Sequence, residues 1–331
     1  MNSDELLSSR IYVAGHRGLA GSAIVRALRT AGASNLITRT HVELDLTDAS
    51  AVRSFFAESK PDYVFLAAAK VGGILANSEK PADFVRENLA IQNNVIHECY
   101  RSGVKRLLFL GSSCIYPRDC PQPIKEEYLL SGPLEFTNRA YAIAKIAGIE
   151  MCWSYNRQYG TRFIAAMPTN LYGPNDNYDL NASHVLPALI RKFHDAKELN
   201  ASAATVWGSG RVRREFLHSD DMAQACLFLM MLPTGVLDCI VYSDSSAPLV
   251  NIGFGEDCTI SELAEMIRCA VGFQGGITYD PTKPDGTPRK LLDITRITEL
   301  GWRPRITLEQ GLKEVYQEYS RQSSLADLAT I

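Results

Sequence analysis

Short apolar runs alternate with longer amphipathic segments over the first half of the chain. Five runs have the length and apolar character of strands, at residues 11–14, 35–38, 63–67, 106–110 and 162–167. Four segments of helical character separate them, at residues 22–31, 49–59, 82–101 and 140–159. Strands that are apolar on both faces and separated by helices are typical of a parallel sheet with helices on both sides. The pattern therefore predicts an α/β fold with a doubly wound parallel sheet.

The alternation ends near residue 174, and the second half of the chain is less regular. A strand and turn are predicted at residues 206–210, and helices at 185–196, 220–231 and 261–271. Thr259 or Ser261 is a suitable N-cap for the last helix. A loop region follows residue 231, and the Pro-, Gly- and charge-rich residues 280–290 are expected to form a loop over a site.

These patterns divide the chain into two domains. We expect the first domain over residues 1–174 and a smaller α/β domain mainly over residues 175–320, with some segments returning to the first sheet. Residues 321–331 are expected to be a frayed tail.

Composition excludes several functional classes. The 331 residues are 46% hydrophobic and 21% charged, and the net charge of −3 makes nucleic acid an unexpected partner. No apolar run reaches the length of a membrane span, so a membrane is not an expected partner either. The first residues lack the features of a secretion signal, which predicts a cytoplasmic protein. The eight cysteines are scattered without a Cys-x-x-Cys pair, so we expect reduced thiols and no metal site.

A glycine-rich turn follows the first predicted strand and precedes the first long helix. It reads Gly15-His16-Arg17-Gly18-Leu19-Ala20-Gly21, with glycines at every third position. Strand, glycine turn and helix in this order are what a dinucleotide-binding motif of the Rossmann type requires, because the pyrophosphate lies against the helix N-terminus. We therefore expect the first domain to bind a dinucleotide.

The residues after the second predicted strand indicate which dinucleotide is bound. NAD-binding folds usually carry an acidic residue there to hold the ribose hydroxyls. After this strand the chain has no acid before Glu43, whereas Arg17 and Arg39 could both reach a 2′-phosphate, which guanidinium groups bind well. The sequence therefore predicts NADP(H) as cofactor.

Tyr141 and Lys145 are four residues apart in a predicted helix and so share one face. An adjacent ammonium is expected to lower the pKa of the phenol, which can then exchange a proton with a carbonyl oxygen while a hydride moves to carbon. Gly15, Ser112 and Asn170 all follow predicted strand ends, as does Lys70, and strand ends of a parallel sheet meet at one edge. The arrangement predicts a carbonyl reductase.

Longer motifs make the resemblance more specific. The glycine turn, Ser112 and the Tyr-x-x-x-Lys pair resemble the extended short-chain dehydrogenase/reductase superfamily. Six further strings resemble the GDP-L-fucose synthase family: Ala67-Ala68-Ala69-Lys70-Val71-Gly72-Gly73-Ile74, Gly111-Ser112-Ser113-Cys114-Ile115-Tyr116-Pro117, Met167-Pro168-Thr169-Asn170-Leu171-Tyr172-Gly173-Pro174, Ser183-His184-Val185, Arg214-Glu215-Phe216-Leu217-His218 and Lys283-Pro284-Asp285-Gly286-Thr287-Pro288-Arg289-Lys290. The resemblance implies NADPH-dependent epimerisation of GDP-4-keto-6-deoxy-D-mannose at C3 and C5, followed by reduction at C4, to give GDP-L-fucose.

The same resemblance implies roles for individual residues. Cys114 would be the base and His184 the acid of the epimerisation, while Ser112 and Tyr141 hold the enolate oxygen. Tyr141 would then protonate the C4 alkoxide, and Lys145 would also hold the nicotinamide ribose.

The implied cofactor and substrate contacts form two sets. The cofactor set is Gly15, His16, Arg17, Gly18, Leu19, Ala20, Gly21, Arg39, His41, Leu110, Gly111, Ser112, Ser113, Lys145, Pro168, Thr169, Asn170, Leu171 and His184. The GDP-sugar set is Lys192, Trp207, Arg214 and Lys290. The family often has arginine where this chain has His41 and Lys192, which weakens one expected phosphate contact in each set. Other polar residues are interpreted as structural or solvated: His97, His194, His218, Arg191, Arg211 and Arg213.

Two other interpretations remain open at the level of sequence. A nucleotide-sugar 4-epimerase or 4,6-dehydratase would use the same fold and Tyr/Lys pair, although Ser113 and Ile115 beside Cys114 do not suit elimination. A non-catalytic NADP-binding sensor or scaffold would have the same fold but would typically lose the Tyr/Lys pair. The superfamily also implies a homodimer formed through the helix that carries Tyr141 and the preceding helix, where Ile143, Ile146 and Ile149 are apolar.

Overall fold

A computed structural model describes residues 3–180, 182–283 and 285–328 of the chain. Pro284, part of the last family-like motif, and the final residues 329–331 lie outside this range. The helices of the first half are α1 Ser3–Ser8, α2 Leu19–Thr30, α3 Ala49–Ser59, α4 Ile74–Glu79, α5 Pro81–Arg101 and α6 Arg139–Tyr159. Those of the second half are α7 Val185–Glu198, α8 Ser219–Met231, α9 Thr234–Val241, α10 Ile260–Val271, α11 Thr295–Glu299 and α12 Leu308–Leu328.

The main sheet has six parallel strands in the order β2-β1-β3-β4-β5-β9. These strands are β1 Arg10–Ala14, β2 Asn35–Ile37, β3 Tyr63–Leu66, β4 Arg106–Leu110, β5 Phe163–Pro168 and β9 Leu249–Ile252. Chain order reverses direction at β1, so a crevice opens at the carboxyl ends of β1 and β3, the usual ligand position in such sheets. The predicted α/β fold is confirmed.

Helices cover both faces of this sheet, as the all-apolar strands require. One face packs against α2 and α8 and the other against α3, α5 and α6, which produces two separate apolar cores. Alternate residues of a strand serve the two cores: Tyr63 and Phe65 enter one, and Val64 and Leu66 the other. Burial on both faces is the reason that period-two alternation is absent from these strands.

The five strands and four long helices predicted in the first half agree closely with the structure, whereas the short helices α1 and α4 were not predicted. The loop region predicted after residue 231 is wrong. That segment contains α9 and β9, and β9 adds a sixth strand to the main sheet beside β5. β9 is four residues long and all four are buried. A run this short becomes a strand only because β5 presents an unpaired edge to it, and the local sequence does not reveal that edge.

The second half contributes a smaller α/β layer with its own apolar core. Its strands are β6 Asn170–Tyr172, β7 Ala203–Trp207, β8 Arg213–His218, β10 Asp257–Thr259, β11 Gly276–Asp280 and β12 Arg289–Lys290. β8 lies between β10 and β12 and also pairs with β6, while β7 pairs with β11. Thr259 is the N-cap of α10 and forms a capping box with Glu262, as one of the two predicted alternatives.

Two further expectations differ from the structure. The boundary of the predicted tail at residue 321 falls inside α12, which continues to Leu328. The predicted loop over 280–290 ends in β12, a strand of two residues that pairs with β8. Within the described ranges no single helix is long and apolar enough to cross a membrane; one pair, α8 with α9, meets the length and composition criteria together but is bent by 102°.

Candidate active site

The glycine turn joins β1 to α2 in a conformation that side chains would prevent. Gly15 has φ +84°, and a Cβ there would lie 2.7 Å from the backbone nitrogen of Ala68 on the adjacent β3 loop. A Cβ on Gly21 would collide with the carbonyl oxygen of Gly15. Gly18 is the N-cap of α2 and offers no side-chain acceptor to the first turn of the helix, which also lacks acidic residues. Free N–H groups at an uncapped helix start fit a pyrophosphate.

Two arginines lie beside this turn. Arg17 and Arg39 are both exposed, and both contribute to the lowered pKa of Glu43 after the larger effect of its hydrogen bonds with Thr40. The Glu43 carboxylate accepts the backbone N–H of Thr40 at 2.7 Å and so caps a local turn. The two guanidinium groups therefore fit a 2′-phosphate. His41 is exposed, and its Nδ1 lies 3.9 Å from Asp45 Oδ1.

The carboxyl end of β4 and the first turns of α6 together form the floor of the cleft. Ser112 caps a short 3₁₀ turn by accepting the backbone N–H of Cys114 at 3.4 Å. Lys145 is 3% exposed, and its Nζ donates to the carbonyl oxygen of Leu110 at 2.7 Å. The same Nζ lies 5.7 Å from the centre of the Tyr141 ring. The sequence-predicted Tyr141, Lys145, Ser112 and Leu110 thus come together here.

The expected lowering of the Tyr141 pKa by Lys145 is not what the structure has. Burial raises the pKa of Tyr141, and the charge of the Cys114 thiolate raises it further. Burial also lowers the pKa of Lys145 to about 8. The expectation is wrong because desolvation of the phenol outweighs a lysine that is directed at the Leu110 carbonyl. Tyr141 is consequently a protonated phenol at neutral pH, the state needed to give a proton to an alkoxide.

Cys114 and His184 come from different segments, but the charge of Lys290 acts on the pKa of both. Cys114 is 6% exposed; burial raises its pKa, and Lys290 is the largest of the opposing influences, ahead of Ser112 and Lys145. Burial lowers the pKa of His184, and Lys290 lowers it further. Cys114 and Lys290 line one cavity. His184 is the exposed residue that immediately precedes α7.

The loop that precedes His184 is fixed against the loop after β3. Gly73 donates its backbone N–H to the carbonyl oxygen of Ala182 at 3.1 Å. A Cβ on Gly73 would lie 3.0 Å from the carbonyl oxygen of Ser183. His184 is then the N-cap residue of α7, without a side-chain hydrogen bond to that helix. Its imidazole is therefore not used for capping.

The residues expected to bind the GDP-sugar form two groups. In the first, Lys192 Nζ lies 4.5 Å from the centre of the half-exposed Trp207 ring, and Lys283 Nζ lies 5.2 Å from it. In the second, Arg214 and Lys290 are paired neighbours on β8 and β12. Lys283 was not among the predicted site residues, although it begins the last family-like string. Its position in that string was the only feature of the sequence that could have identified it.

Several other predicted positions have structural partners. Lys70 Nζ donates to Glu87 Oε1 at 2.7 Å, and Asn170 Nδ2 donates to the backbone oxygen of Glu215 at 2.8 Å. The three histidines interpreted as structural do make structural hydrogen bonds, to Tyr155, Tyr316 and the backbone of Asp220: His97, His194 and His218.

Arg213 was interpreted as a solvated charge, and its side chain is 39% exposed, but it is also paired with an acid. Its guanidinium binds the Asp257 side chain, with Nε 2.8 Å from Oδ1. Arg191 also has local partners, since it donates to the Tyr178 backbone oxygen at 3.1 Å. A basic run in the sequence does not show which of its members face an acid, because the acid comes from another strand.

Comparisons with known proteins show the family to which the chain belongs. Residues 11–238 match the NAD dependent epimerase/dehydratase family. The GDP-L-fucose synthase 1 of Arabidopsis thaliana is 56% identical over 94% of this chain and 92% of its own length. The GDP-L-fucose synthase of Escherichia coli is 53% identical over 93% of this chain and 95% of its own.

A solved structure gives the same result at the level of the fold. A GDP-mannoheptose C4 reductase from Campylobacter jejuni with NADP bound has a TM-score of 0.84 and 41% identity, covering 95% of this chain and 99% of that one. The identity and coverage of these relatives are far above what a shared fold alone requires. The chain belongs to the NAD dependent epimerase/dehydratase family and, within it, to the GDP-L-fucose synthases.

Proposed function

We propose that the protein converts GDP-4-keto-6-deoxy-D-mannose to GDP-L-fucose with NADPH, by epimerisation at C3 and C5 and reduction at C4. The observation that carries this proposal is that a buried thiol, a partly exposed but desolvated phenol and a buried lysine meet at the end of β4, with Lys290 acting on both Cys114 and His184. A simple carbonyl reductase has no need for the thiol and the imidazole.

The epimerisation requires a proton to leave one face of the sugar and return to the other. The C4 ketone acidifies the hydrogens at C3 and C5. Cys114 as thiolate removes such a proton and becomes a thiol, while Ser112 and Tyr141 donate hydrogen bonds to the enolate oxygen. His184 as imidazolium then returns a proton to the opposite face and becomes neutral. Solvent resets both groups before the second centre is inverted.

The reduction uses Tyr141 as the proton donor. Bound NADPH supplies the hydride for C4. Tyr141, protonated because burial raises its pKa, gives its proton to the developing alkoxide. Lys145 lies one helical turn away, beside both the phenol and the Leu110 carbonyl, where it would bind the nicotinamide ribose and help restore the proton.

The cofactor site fits NADP(H) better than NAD(H). The pyrophosphate would lie against the uncapped start of α2, with the 2′-phosphate between Arg17 and Arg39. Glu43, the first acid after β2, is engaged by Thr40 and cannot also accept ribose hydroxyls without losing that turn. We expect kcat/KM to be at least tenfold higher with NADPH than with NADH, roughly what one lost charge-assisted contact costs. Comparable values would remove this assignment.

The nucleotide end of the substrate is assigned to the second half of the chain. Trp207 is half-exposed and offers a ring to the guanine, with Lys192 and Lys283 beside it. Arg214 and Lys290 would bind the diphosphate between that ring and the cleft.

The decisive experiment is a reaction in heavy water. The protein is incubated with GDP-4-keto-6-deoxy-D-mannose and NADPH, and the product is read by NMR. We expect GDP-L-fucose with deuterium at C3 and C5 and one NADPH consumed per product. Turnover without net NADPH consumption would instead indicate a 4-epimerase or dehydratase, and NADPH binding without oxidation would indicate a sensor.

One alternative has a specific observation in its favour. The similar solved structure is a GDP-mannoheptose C4 reductase, so a GDP-4-keto-heptose is the second candidate substrate. Reduction of that sugar without deuterium incorporation would favour a reductase alone. Comparison of kcat/KM for the two ketones, with exchange measured in parallel, separates these functions.

We also propose that the protein acts in the cytoplasm as a homodimer formed through α5 and α6. These two helices pack closely on each other, and each exposes an apolar side chain: Leu89 on α5 by 36% and Ile143 on α6 by 41%. Ile149 is only 1% exposed and packs in the core of its own subunit, so it does not support the interface.

A further inference from the structure

The two diphosphate-binding candidates lie on short strands whose opposite face holds a buried acid. In the three-stranded arrangement β10-β8-β12, Asp257 is opposite Glu215, Arg289 is opposite Arg213 and Lys290 is opposite Arg214. Side chains alternate between the two faces of a strand. Arg213, Asp257 and Arg289 therefore share one face, while Arg214 and Lys290 share the other.

The carboxylate of Asp257 bridges the two arginines on its face. Oδ1 accepts Arg213 Nε at 2.8 Å, and Oδ2 accepts Arg289 Nε at 2.6 Å. A second nitrogen of Arg213 donates to the backbone oxygen of Asp257 at 2.9 Å. The Asp257 side chain is only 4% exposed, so water screens these bonds little. Both carboxylate oxygens are thus used to join β8 to β12.

β12 depends on such a bridge because the strand itself is very short. Its ladder with β8 contains two residue pairs, and both pairs place one cation directly opposite another. Like charges in opposed positions destabilise strand pairing. A carboxylate shared by Arg213 and Arg289 removes the repulsion at one of the two pairs. The other pair, Arg214 with Lys290, remains available for an anionic ligand.

A second acid reinforces the same junction. Glu215 is fully buried and accepts the backbone N–H of Leu292 at 3.0 Å and of Gly255 at 2.7 Å. These two residues flank β12 and β10 respectively. Glu215 thus holds the backbone on either side of β8, whereas Asp257 holds the charged side chains.

We propose that Asp257 is a positioning residue for substrate binding: by bridging Arg213 and Arg289 it holds Arg214 and Lys290 side by side to receive the diphosphate of a nucleotide sugar. The inference rests on the proposed function and adds to it a residue that contacts neither the substrate nor the cofactor. It also assigns Arg213 and Arg289 to alignment of the strands rather than to the ligand.

The test is a comparison of Michaelis constants in Asp257→Asn. The amide keeps the volume of aspartate but presents an NH₂ group to one guanidinium, so the bridge between β8 and β12 loses one of its two side-chain bonds. We expect KM for the GDP-keto-sugar to rise about tenfold, while KM for NADPH and kcat change by less than about twofold, since the glycine turn and the catalytic floor are on other elements. Glu265→Gln, which removes an exposed carboxylate from Arg268, is the matched control and should change nothing.

A second variant tests the same bridge in case Asp257→Asn does not fold. Arg289→Ala removes the partially exposed end of the bridge and should raise the same KM in the same direction. The double variant should be no worse than the more severe single one, because both break one bridge. An unchanged substrate KM in folded Asp257→Asn, or equal losses for both substrates and kcat, would overturn the proposal. So would a normal KM in Arg289→Ala if Asp257→Asn fails to fold.

Failure of the positioning role can be distinguished from failure of the proposed function. If the wild-type protein does not reduce any GDP-keto-sugar, the function itself is wrong. If the wild type is active and only the KM changes are absent, the function stands and the positioning role is wrong.

Discussion

Burial sets the direction of the pKa shift of each ionisable group named in the catalytic cleft. It raises the pKa of Cys114 and Tyr141 and lowers that of Lys145, His184 and Lys290. Each shift favours the neutral form. The phenol is suited to donating a proton, but the thiol and imidazole must both be charged to begin an epimerisation. Only a small fraction of the protein carries both charges at once, so ionisation of these two side chains should govern the exchange rate.

Tyr141→Phe should separate the two reactions. Loss of the proton donor is expected to reduce NADPH oxidation by roughly 10²- to 10⁴-fold, the range for general acid catalysis, and deuterium exchange at C3 and C5 far less, because Ser112 still binds the enolate oxygen. Both rates are measured on the same samples by absorbance and NMR. Tyr159→Phe, on the exposed end of α6, is the control. Equal losses in the two reactions would show that the roles of Ser112 and Tyr141 are assigned wrongly.

Cys114→Ala should abolish exchange and leave NADPH binding intact. The thiolate is the proposed base, whereas the cofactor is held by the glycine turn. Cys120→Ala is a close control, because burial also raises the pKa of Cys120 and Lys290 also acts on it. Exchange is followed by NMR in heavy water and cofactor affinity by fluorescence titration. Undiminished exchange in Cys114→Ala would eliminate this residue as the base.

The pH dependence of deuterium exchange should reflect the ionisation of both Cys114 and His184. The fraction of protein that carries both the thiolate and the imidazolium is constant at pH values between the two pKa values. It decreases at pH values below the pKa of His184, which is under 6.5, and at pH values above the pKa of Cys114, which is over 9.0. Lys290 lowers both pKa values, so Lys290→Met should move both limbs of the profile to higher pH. The measurement is deuterium uptake against pH at saturating substrate.

Lys283→Met provides the control for this profile. Lys283 is a lysine of the same substrate-binding half, but its Nζ lies over Trp207 rather than beside the thiol. It should change substrate affinity without moving either limb. If Lys290→Met also leaves both limbs in place, Lys290 does not act on Cys114 and His184 together.

At the scale of elements, a buried arginine joins β4 to the helices behind it. Arg106 is 1% exposed; one guanidinium nitrogen donates to the carbonyl oxygens of Met230 and Leu232 at 3.0 and 2.8 Å, and the other to Thr234 Oγ1 at 3.1 Å. These contacts satisfy the end of α8 and the start of α9. Because the junction is buried, water cannot replace the donors.

Arg106→Met should therefore destabilise the protein without changing the catalytic site. Leaving these buried acceptors unpaired is expected to lower the free energy of unfolding by about 2–4 kcal/mol. Urea denaturation followed by circular dichroism measures the change. Lys313→Met, which breaks an exposed i,i+4 pair with Glu309, should have little effect. A stability loss no greater than that of the control would mean that Arg106 is not needed at this junction.

The same scale shows what local sequence can predict. In the first half, the long helices are recognisable by their length, and the strands are recognisable because they are apolar and bounded by turns. β6, β9 and β12 have three, four and two residues and form only by pairing with a strand from elsewhere in the chain. Unlike the strands of the first half, these three are not part of a regular alternation with helices, so their local patterns do not distinguish them from loops.

At the scale of the whole molecule, the proposed dimer has a direct test. Ile143→Glu places a charge on the exposed side of α6 and should convert the dimer to a monomer, because a buried unpaired carboxylate is costly at an interface. Sedimentation velocity measures the mass of each species. Val42→Glu, at a 96% exposed position near the cofactor site, is the control. If the wild-type protein sediments as a monomer, the proposed dimer interface is wrong.

The candidate site could be predicted from sequence to a large extent, but not its electrostatics. The glycine turn, Tyr141, Lys145 and Cys114 are in segments where residue type and spacing are informative within a few residues. The partnership of Arg213 with Asp257 joins residues 44 positions apart, and the direction of the Tyr141 pKa depends on how much protein surrounds the phenol. Both are properties of packing.

The sequence by itself determined the parallel α/β sheet, the dinucleotide turn and the Tyr/Lys pair, because apolar periodicity, glycine spacing and helical spacing act over short stretches of chain. Tertiary structure alone decided that Lys290 acts on both Cys114 and His184, that Lys283 joins Lys192 at Trp207, and that Asp257 fixes β12 against β8. These contacts join strands and loops far apart in the chain. Their strength comes from burial and register, which exist only once the elements have packed together.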